Sequence, residues 1–375
     1  MLLKRIFCFV LAIVLFSPII SVGAVSTSAK AAILINGDTG EIIYEQNSTL
    51  KLPMASTTKI MTGLLLCETG DLEKEITVTA EMLRVEGSSM GLLAGDKITL
   101  HDLLYGLLLA SGNDAANVVA FLLGGTVNGF AKLMNEKAEK LGLSDTHFVT
   151  PSGLDADGHY TTAEDLANLA RYALQNEEFA KAVGSKSATL NYGNPPYRRT
   201  LTNHNKLLKT FDGAVGVKTG FTKKSGRCLV SAAKRDGKYV IAVTLNDGND
   251  WKDHTELLEY GLSSLKITEI KPQKTDFDIP VINGKENLNI KVGTYKFSTL
   301  KDENFSCDVN LPKFLYAPVK KGDVIGSAVY KKDGAVIKES LIKAENDINL
   351  IKEERSIFFF LIENIRYIFL NLWEI

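Results

Sequence analysis

The chain has 375 residues, too many for one ordinary compact domain, and a prior of roughly 100 to 200 residues per domain points to two units. Apolar residues at 45% and charged residues at 23% allow a sizeable core and exclude wholesale disorder. The formal net charge of -1, with no block of consecutive Lys or Arg, excludes an ordinary nucleic-acid binder.

In chain order, the first segment belongs to targeting. Lys4 and Arg5 precede the apolar run 6–16, and Val22, Gly23 and Ala24 offer small residues for cleavage, so residues 1–24 read as a secretory signal peptide. Removing Lys4 and Arg5 from the 43 Lys and Arg leaves 41 against 44 Asp and Glu, a mature charge near -3. Cys8 lies inside the run, not at its end, which argues against lipoprotein-type cleavage. Cys67, Cys228 and Cys307 remain, an odd number that cannot form a complete disulfide framework, and they read as small apolar core residues. None has a His in a recognisable arrangement that would make it a nucleophilic thiol.

Residues 31–35 and 41–44 around the turn 36–40 predict a β-hairpin. A helix follows Pro53, carries Ile60, Met61, Leu64 and Leu65, and stops at Gly70. From about 81 to 174 the periodicity is mainly helical, clearest in 101–109, 113–123, 129–141 and 163–174. Strand character returns at 214–218, then at 228–233 and 239–245 around the turn Arg235-Asp236-Gly237-Lys238, and a helix over 251–262 closes the region. The order predicts an α/β (α+β) catalytic domain over 25–265, with an antiparallel sheet assembled from both ends of the domain and an all-helical insertion between them.

The lysine-, threonine- and proline-rich stretch after Leu265 reads as a linker. Short alternating runs with Asn283-Gly284 and Asp333-Gly334 turns then predict a small all-β sandwich, the linker and sandwich together spanning 266–349. Residues 350–375 end in SIFFFLIENIRYIFLNLWEI. On a helical wheel Glu363, Asn364, Arg366, Asn371 and Glu374 share one side, while Leu361, Ile362, Ile365, Ile368, Phe369, Leu372 and Trp373 take the other. Central charges would cost about 2.5 to 3.5 kcal/mol each in a bilayer-crossing helix, so the segregation favours an amphipathic anchor lying on the membrane surface. A helix packed on its own protein is the alternative.

Three short motifs carry the chemistry: Ser56-Thr57-Thr58-Lys59, Ser111-Gly112-Asn113 and Lys218-Thr219-Gly220. Each alone is common, as a helix cap, a turn and a strand end respectively; their order and structural settings together are not. Serine needs a base to become a nucleophile. Residues i and i+3 share a helix face, which brings Lys59 within reach of Ser56. Burial and a second cation, for which Lys218 is the candidate, would both favour the neutral amine the base requires. Ser111 can relay a proton to a leaving amine, and Asn113 can brace Lys59 and hold a peptide carbonyl. Lys218, Thr219 and Gly220 on an edge strand can meet the carboxylate and backbone of an extended peptide.

The set STTK, SGN and KTG resembles the signature of the serine D,D-peptidase and β-lactamase superfamily, a signature already described in general form for class A enzymes. With PMASTTKIMT, LLLASGNDAANVVA, PSGLDADGHYTTAEDLA and VGVKTGFT, and with the β-domain and amphipathic end, almost the whole chain is similar to the low-molecular-mass penicillin-binding proteins that are D-alanyl-D-alanine carboxypeptidases. The resemblance implies a serine D,D-peptidase/β-lactamase-like fold and hydrolysis of the terminal D-Ala-D-Ala bond of peptidoglycan stem pentapeptides. It implies Ser56 as acyl-enzyme nucleophile, Lys59 as proton acceptor, Ser111 as relay and Lys218 as carboxylate ligand, with the N–H groups of Ser56 and Phe221 as oxyanion hole. β-Lactams would be covalent inhibitors, and the site would face the wall outside the cytoplasmic membrane. Phe221 follows KTG where some relatives carry His, and His204 stands where some carry Arg, which leaves carboxylate recognition open. His159 and Asp155 are further candidates in the loop 151–161.

A β-lactamase would need a residue to activate the deacylating water; Glu164 is the nearest candidate, yet it reads as a first-turn helix residue. A D,D-endopeptidase would use the same side chains, and an inactive wall-associated scaffold is the non-enzymatic alternative. No metal-ligand cluster or nucleotide-binding glycine loop is evident, so no cofactor is expected.

Overall fold

The computed structural model describes residues 25–300, 304–351 and the single position 365. The expected signal peptide and nearly all of the expected anchor lie outside the described residues. Two compact units divide between Ser264 and Leu265.

The first unit opens with β1 (Ala31–Asn36) and β2 (Ile42–Gln46), then a 3-10 turn at Ala55–Thr58 that runs into α1 (Lys59–Cys67). Next come β3 (Glu75–Thr77), β4 (Lys97–Thr99), α2 (Leu100–Leu109), α3 (Asn113–Gly124), α4 (Val127–Lys140), α5 (Ala163–Ala173) and α6 (Glu177–Gly184). The hairpin β5 (Ser187–Gly193) and β6 (Pro196–Thr202) follows, then the single turn α7 (Leu207–Thr210). The unit closes with β7 (Ala214–Thr222), β8 (Gly226–Arg235), β9 (Lys238–Leu245) and α8 (Asp250–Ser264).

The main sheet has the order β2-β1-β9-β8-β7 and is antiparallel throughout, so strands from both ends of the unit meet in it. β1 lies inside the sheet and is buried at every position, which its sequence AAILIN suits. Asp236 (φ 53°) and Gly237 (φ 76°) take the left-handed conformation that lets Arg235 pair directly with Lys238. β7 is the outer strand, with one side of its backbone unpaired by the sheet.

α1 is buried at all positions but Leu65, because helices surround it on the face opposite the sheet. Such a helix has to be apolar nearly all round, and KIMTGLLLC is, except for Lys59 and for Thr62, whose hydroxyl donates to the Pro151 carbonyl. The helices around it start on conventional caps: Thr99, Thr126 and Thr162 each accept a backbone N–H from the residue three positions on. Among the described residues no single helix is long and apolar enough to cross a membrane.

Two expectations change in this unit. The helical reading of 81–99 gives way to an extended loop and the three-residue β4. The hairpin β5/β6, not foreseen, joins β3 and β4 in a second sheet of order β3-β4-β5-β6. β5 buries only Leu190, Tyr192 and Gly193 among more exposed residues and β6 buries none, so no apolar run marks them.

The second unit is all-β. It contains β10 (Lys266–Ile270), β11 (Asp276–Ile279), β12 (Val281–Ile282), β13 (Leu288–Lys291), β14 (Tyr295–Thr299), β15 (Phe305–Asn310), β16 (Leu315–Tyr316), β17 (Val324–Lys332) and β18 (Ala335–Lys343). Residues 266–270, expected as linker, are instead strand β10, paired with β14. Alternation hides in KITEI, where Ile270 is buried beneath polar neighbours. Ile279, Leu288, Ile290 and Phe297 form the core, with the Tyr295 ring tilted against Phe297 and the Tyr330 ring edge-on to it. Asp333 (φ 47°) and Gly334 (φ 84°) make the β17/β18 turn.

Candidate active site

Ser56 sits in the 3-10 turn immediately before α1, and Lys59 is the first residue of that helix. The turn is fixed from several sides. Thr57 and Thr58 donate their hydroxyls to the carbonyls of Met54 (2.6 Å) and Ala55 (2.8 Å). Ala55 has φ 48°, a strained value for a residue with a Cβ. The loop 150–159 passes directly over it, so closely that a Cβ on Gly153 would lie 1.8 Å from the Ala55 carbonyl oxygen. His159 closes the contact from below, with Nε2 2.8 Å from Thr58 Oγ1 and Nδ1 accepting the Val149 N–H at 2.9 Å.

Lys59 is 0% exposed. Its Nζ lies 3.0 Å from Ser56 Oγ, 2.7 Å from Asn113 Oδ1 and 2.7 Å from the Ser152 carbonyl oxygen. None of these partners is a carboxylate. Burial holds its pKa well below the ordinary lysine value, and the Lys218 charge pushes the same way; Asp114 opposes both and is outweighed.

Ser111 lies at a turn with φ 57°, and Gly112 leads into α3. The Asn113 side chain bridges two elements, its oxygen receiving Lys59 and its amide donating to the Glu86 carbonyl at 2.7 Å. One of its amide hydrogens is therefore already engaged, which narrows the expected role of holding a peptide carbonyl. Asp114 secures the same loop by accepting Ser89 Oγ and the N–H groups of Met90, Gly91 and Leu92.

Lys218 is 1% exposed, and its Nζ donates to Ser111 Oγ (3.0 Å) and the Thr219 carbonyl (2.9 Å). Burial lowers its pKa to about 7. Gly220 is needed where it stands: a Cβ there would lie 2.9 Å from the Ser56 nitrogen and 3.1 Å from that of Thr57. Thr222 ties the strand end to the loop through Asp155 Oδ1 at 2.9 Å. His159 and Asp155 thus act as supports of the site.

A cleft of about 300 Å³ opens over these groups, lined by Ser56, Ser111, His204, Thr219, Gly220 and Phe221, with Lys59, Asn113 and Lys218 beneath. A larger depression of about 650 Å³, near Tyr105 and Tyr239, contains none of the motif residues, so volume does not locate the chemistry. Phe221 is 66% exposed at the rim. His204 is exposed at the cleft, yet partial desolvation first, then the Lys218 charge, holds it below the ordinary histidine pKa.

Four more lining residues were not foreseen: Ser88, Arg227, Asp250 and Trp251. Arg227 faces Phe221 across the β7/β8 ladder. Its Nε donates to Asp250 Oδ1 at 2.9 Å, and its guanidinium lies 5.8 Å from the Trp251 ring. No short motif links β8 to the start of α8; the register of Arg227 opposite Phe221 was the one available signal. Glu164 lies in the first turn of α5, its N–H on the Ser48 carbonyl, and is not part of the cleft lining.

A buried lysine of lowered pKa hydrogen-bonded to a serine, beside the edge strand of an antiparallel sheet, is the arrangement of a serine acyl-transfer enzyme of the penicillin-binding class. The comparisons give the family. The model of the D-alanyl-D-alanine carboxypeptidase family matches residues 19–249, and that of the penicillin-binding protein 5 C-terminal domain matches residues 270–350. The D-alanyl-D-alanine carboxypeptidase DacF of Bacillus subtilis is 33% identical over 85% of this chain and 86% of its own. DacC of Escherichia coli is 33% identical over 91% and 89%. The crystal structure of the D-alanyl-D-alanine carboxypeptidase DacD from Francisella tularensis superposes with a TM-score of 0.63 at 27% identity, covering 88% of this chain and 96% of that one. The chain belongs to the D-alanyl-D-alanine carboxypeptidase family.

Proposed function

We propose that the protein is a serine D,D-carboxypeptidase that removes the terminal D-alanine of peptidoglycan stem pentapeptides through an acyl-enzyme on Ser56, and that penicillin traps the same serine. One observation carries this reading: the environment of Lys59 Nζ. A neutral amine has two N–H bonds and one lone pair. Asn113 Oδ1 and the Ser152 carbonyl can only accept, so they take the two N–H bonds and leave the lone pair to the Ser56 hydroxyl. Ser56 O–H then donates to Nζ, and the proton moves along that bond as Oγ attacks the substrate carbonyl.

The oxyanion is assigned to the N–H groups of Ser56 and Phe221, a role supported by the close approach of Gly220 to Ser56. Ser111 is assigned the transfer of a proton to the departing D-alanine nitrogen, a role supported by its hydrogen bond from Lys218. The substrate carboxylate is assigned to Lys218, Thr219 and His204, with the Arg227 guanidinium a further positive charge in the cleft lining. Water then hydrolyses the acyl-enzyme by the same groups in reverse order.

The β-lactamase reading is weakened by the cleft lining. Among the described residues its one carboxylate is Asp250, which is engaged by Arg227. Export by residues 1–24, action outside the cytoplasm and a surface anchor within 350–375 are part of the same proposal, supported by sequence pattern and by the family. Incubation with a pentapeptide ending in D-Ala-D-Ala tests the activity: release of D-alanine that Ser56→Ala abolishes supports it, and no release, or release that survives the substitution, refutes it.

A further inference from the structure

The second unit exposes an apolar patch where its short strands end. Ile282 on β12 pairs with Tyr316 on β16, and both side chains face outward, 40% and 66% exposed. Phe314 packs edge-on against Tyr316 with ring centroids 5.5 Å apart, and is itself 46% exposed. The chain end adds to the same surface. Leu350 bridges to Gly284 and the Ile351 N–H bonds to the Asn283 carbonyl, leaving side chains 47% and 51% exposed beside Ile282. An exposed set of this kind on one surface is unusual in a domain with no use for it.

Lys313, Lys320 and Lys321 stand in the segment that carries Phe314 and Tyr316 and are exposed. Asp323 and Asp347 accept the backbone N–H groups of Lys320 and Lys321. Among the described residues the ion pairs of this unit use other lysines, Lys296 and Lys331. Aromatic rings beside lysines match the two layers of a membrane surface, ring against the acyl boundary and ammonium against anionic headgroups.

From this juxtaposition we propose that the face formed by Ile282, Phe314, Tyr316, Leu350 and Ile351 rests on an anionic lipid surface, as a second membrane contact besides the anchor proposed within 350–375. The inference rests on the anchor reading above. It is supported by where the chain leaves: from this patch at Ile351 only the short charged stretch 352–355 separates the residues that carry the amphipathic pattern. A second copy of the chain suits the surface less, since two-fold pairing would bring the lysine rims together. Two weak membrane signals acting together hold a protein far longer than either alone. The consequence is orientational: a single anchor is a swivel, whereas an anchor and an adjoining face fix how the β-unit stands on the membrane.

The test is partitioning of the full-length mature chain between buffer and vesicles, one set of phosphatidylcholine with one-third phosphatidylglycerol and one of phosphatidylcholine alone. Phe314→Ala with Tyr316→Ala is expected to weaken binding to the anionic vesicles about tenfold, and Lys320→Glu with Lys321→Glu to abolish the preference for them. Unchanged thermal unfolding and unchanged labelling by penicillin establish that both variants are folded. Undiminished binding by both variants overturns the proposal while leaving the anchor intact. Tighter binding by the aromatic variant overturns it as well, since the patch would then be covering the chain's own end. A dimer in solution that the aromatic variant dissociates overturns it in favour of a second copy. Failure of the intact chain to bind any vesicle, matching an Ile365→Asp with Phe369→Asp variant, refutes the anchor reading first and this proposal with it.

Discussion

Asn113 Oδ1 lies 2.7 Å from Lys59 Nζ, a neutral acceptor where a carboxylate of almost the same shape would also fit. The choice of amide over acid sets the charge of the base. Asn113→Asp would place a negative charge beside the amine and favour the ammonium, raising the lysine pKa. Acylation by penicillin at neutral pH is expected to fall by about a hundredfold or more and to recover partly at alkaline pH. Stopped-flow acylation across pH checks both halves of this statement; a mutant with normal neutral activity would contradict it.

Lys218 bears on the same amine from the other side of Ser111. Lys218→Ala removes a charge that disfavours the Lys59 ammonium, so the acidic limb of the acylation profile should shift to higher pH. Loss of the relay contact should also lower kcat/KM for peptide by about 10²- to 10⁴-fold. Ser111→Ala should share the loss of rate without the shift of the limb, and comparison of the two profiles separates charge from proton transfer.

Arg227 is held by Asp250 with the rest of its guanidinium in the cleft. If it attracts the substrate carboxylate, Arg227→Gln should raise KM for a peptide ending in free D-alanine by about tenfold, the lower end for a charge-assisted hydrogen bond that solvent partly screens. The amidated peptide, which lacks the carboxylate, should be affected much less. Equal losses on both peptides would assign Arg227 to structure alone.

Two histidines make stability depend on pH. His254 is wholly buried between Ser231 and Thr244, and burial lowers its pKa to about 3; His159 is lowered to about 4 for the same reason. Both stay neutral in the fold, whereas in the unfolded chain they take up protons below the ordinary value of about 6.5. Their contribution is therefore fully present above that pH and is lost as pH falls toward the folded values, at up to about 1.4 kcal/mol per pH unit for each. Asp165 and Asp247, whose carboxyl groups burial raises, act in the opposite sense but only from the carboxylate range upward to their raised values. Denaturant unfolding at pH 7, 6 and 5 should show the decline, and His254→Gln should flatten it; a flat curve for the unaltered chain would contradict the assignment.

Much of the site was legible in the sequence because its residues come in short local groups. Ser56 and Lys59 share a turn, and Lys218, Thr219 and Gly220 share a strand, so spacing alone foretold which side chains meet. The positive φ at Ser111 and Ala55, the oxygen of Ser152 under Lys59 and the pairing of Arg227 with Asp250 arise from loops crossing at long sequence range, and no periodicity records them. The fold divides in the same way. Continuous apolar strands such as β8 and β9 announced themselves, while the half-exposed hairpin β5/β6 and the polar strand β10 did not, since burial of one side chain in two or three leaves no run to detect.

The central claim is that Lys59 is neutral at physiological pH and takes the Ser56 proton. The most direct measurement is the second-order rate of acylation by benzylpenicillin from about pH 5 to 10, with the adduct located on Ser56 by mass spectrometry. A rate that has reached its plateau by neutral pH is the predicted result, because burial and the neighbouring Lys218 depress the amine. A rate that keeps climbing about tenfold per pH unit toward the ordinary lysine value, or an adduct on another residue, would contradict it.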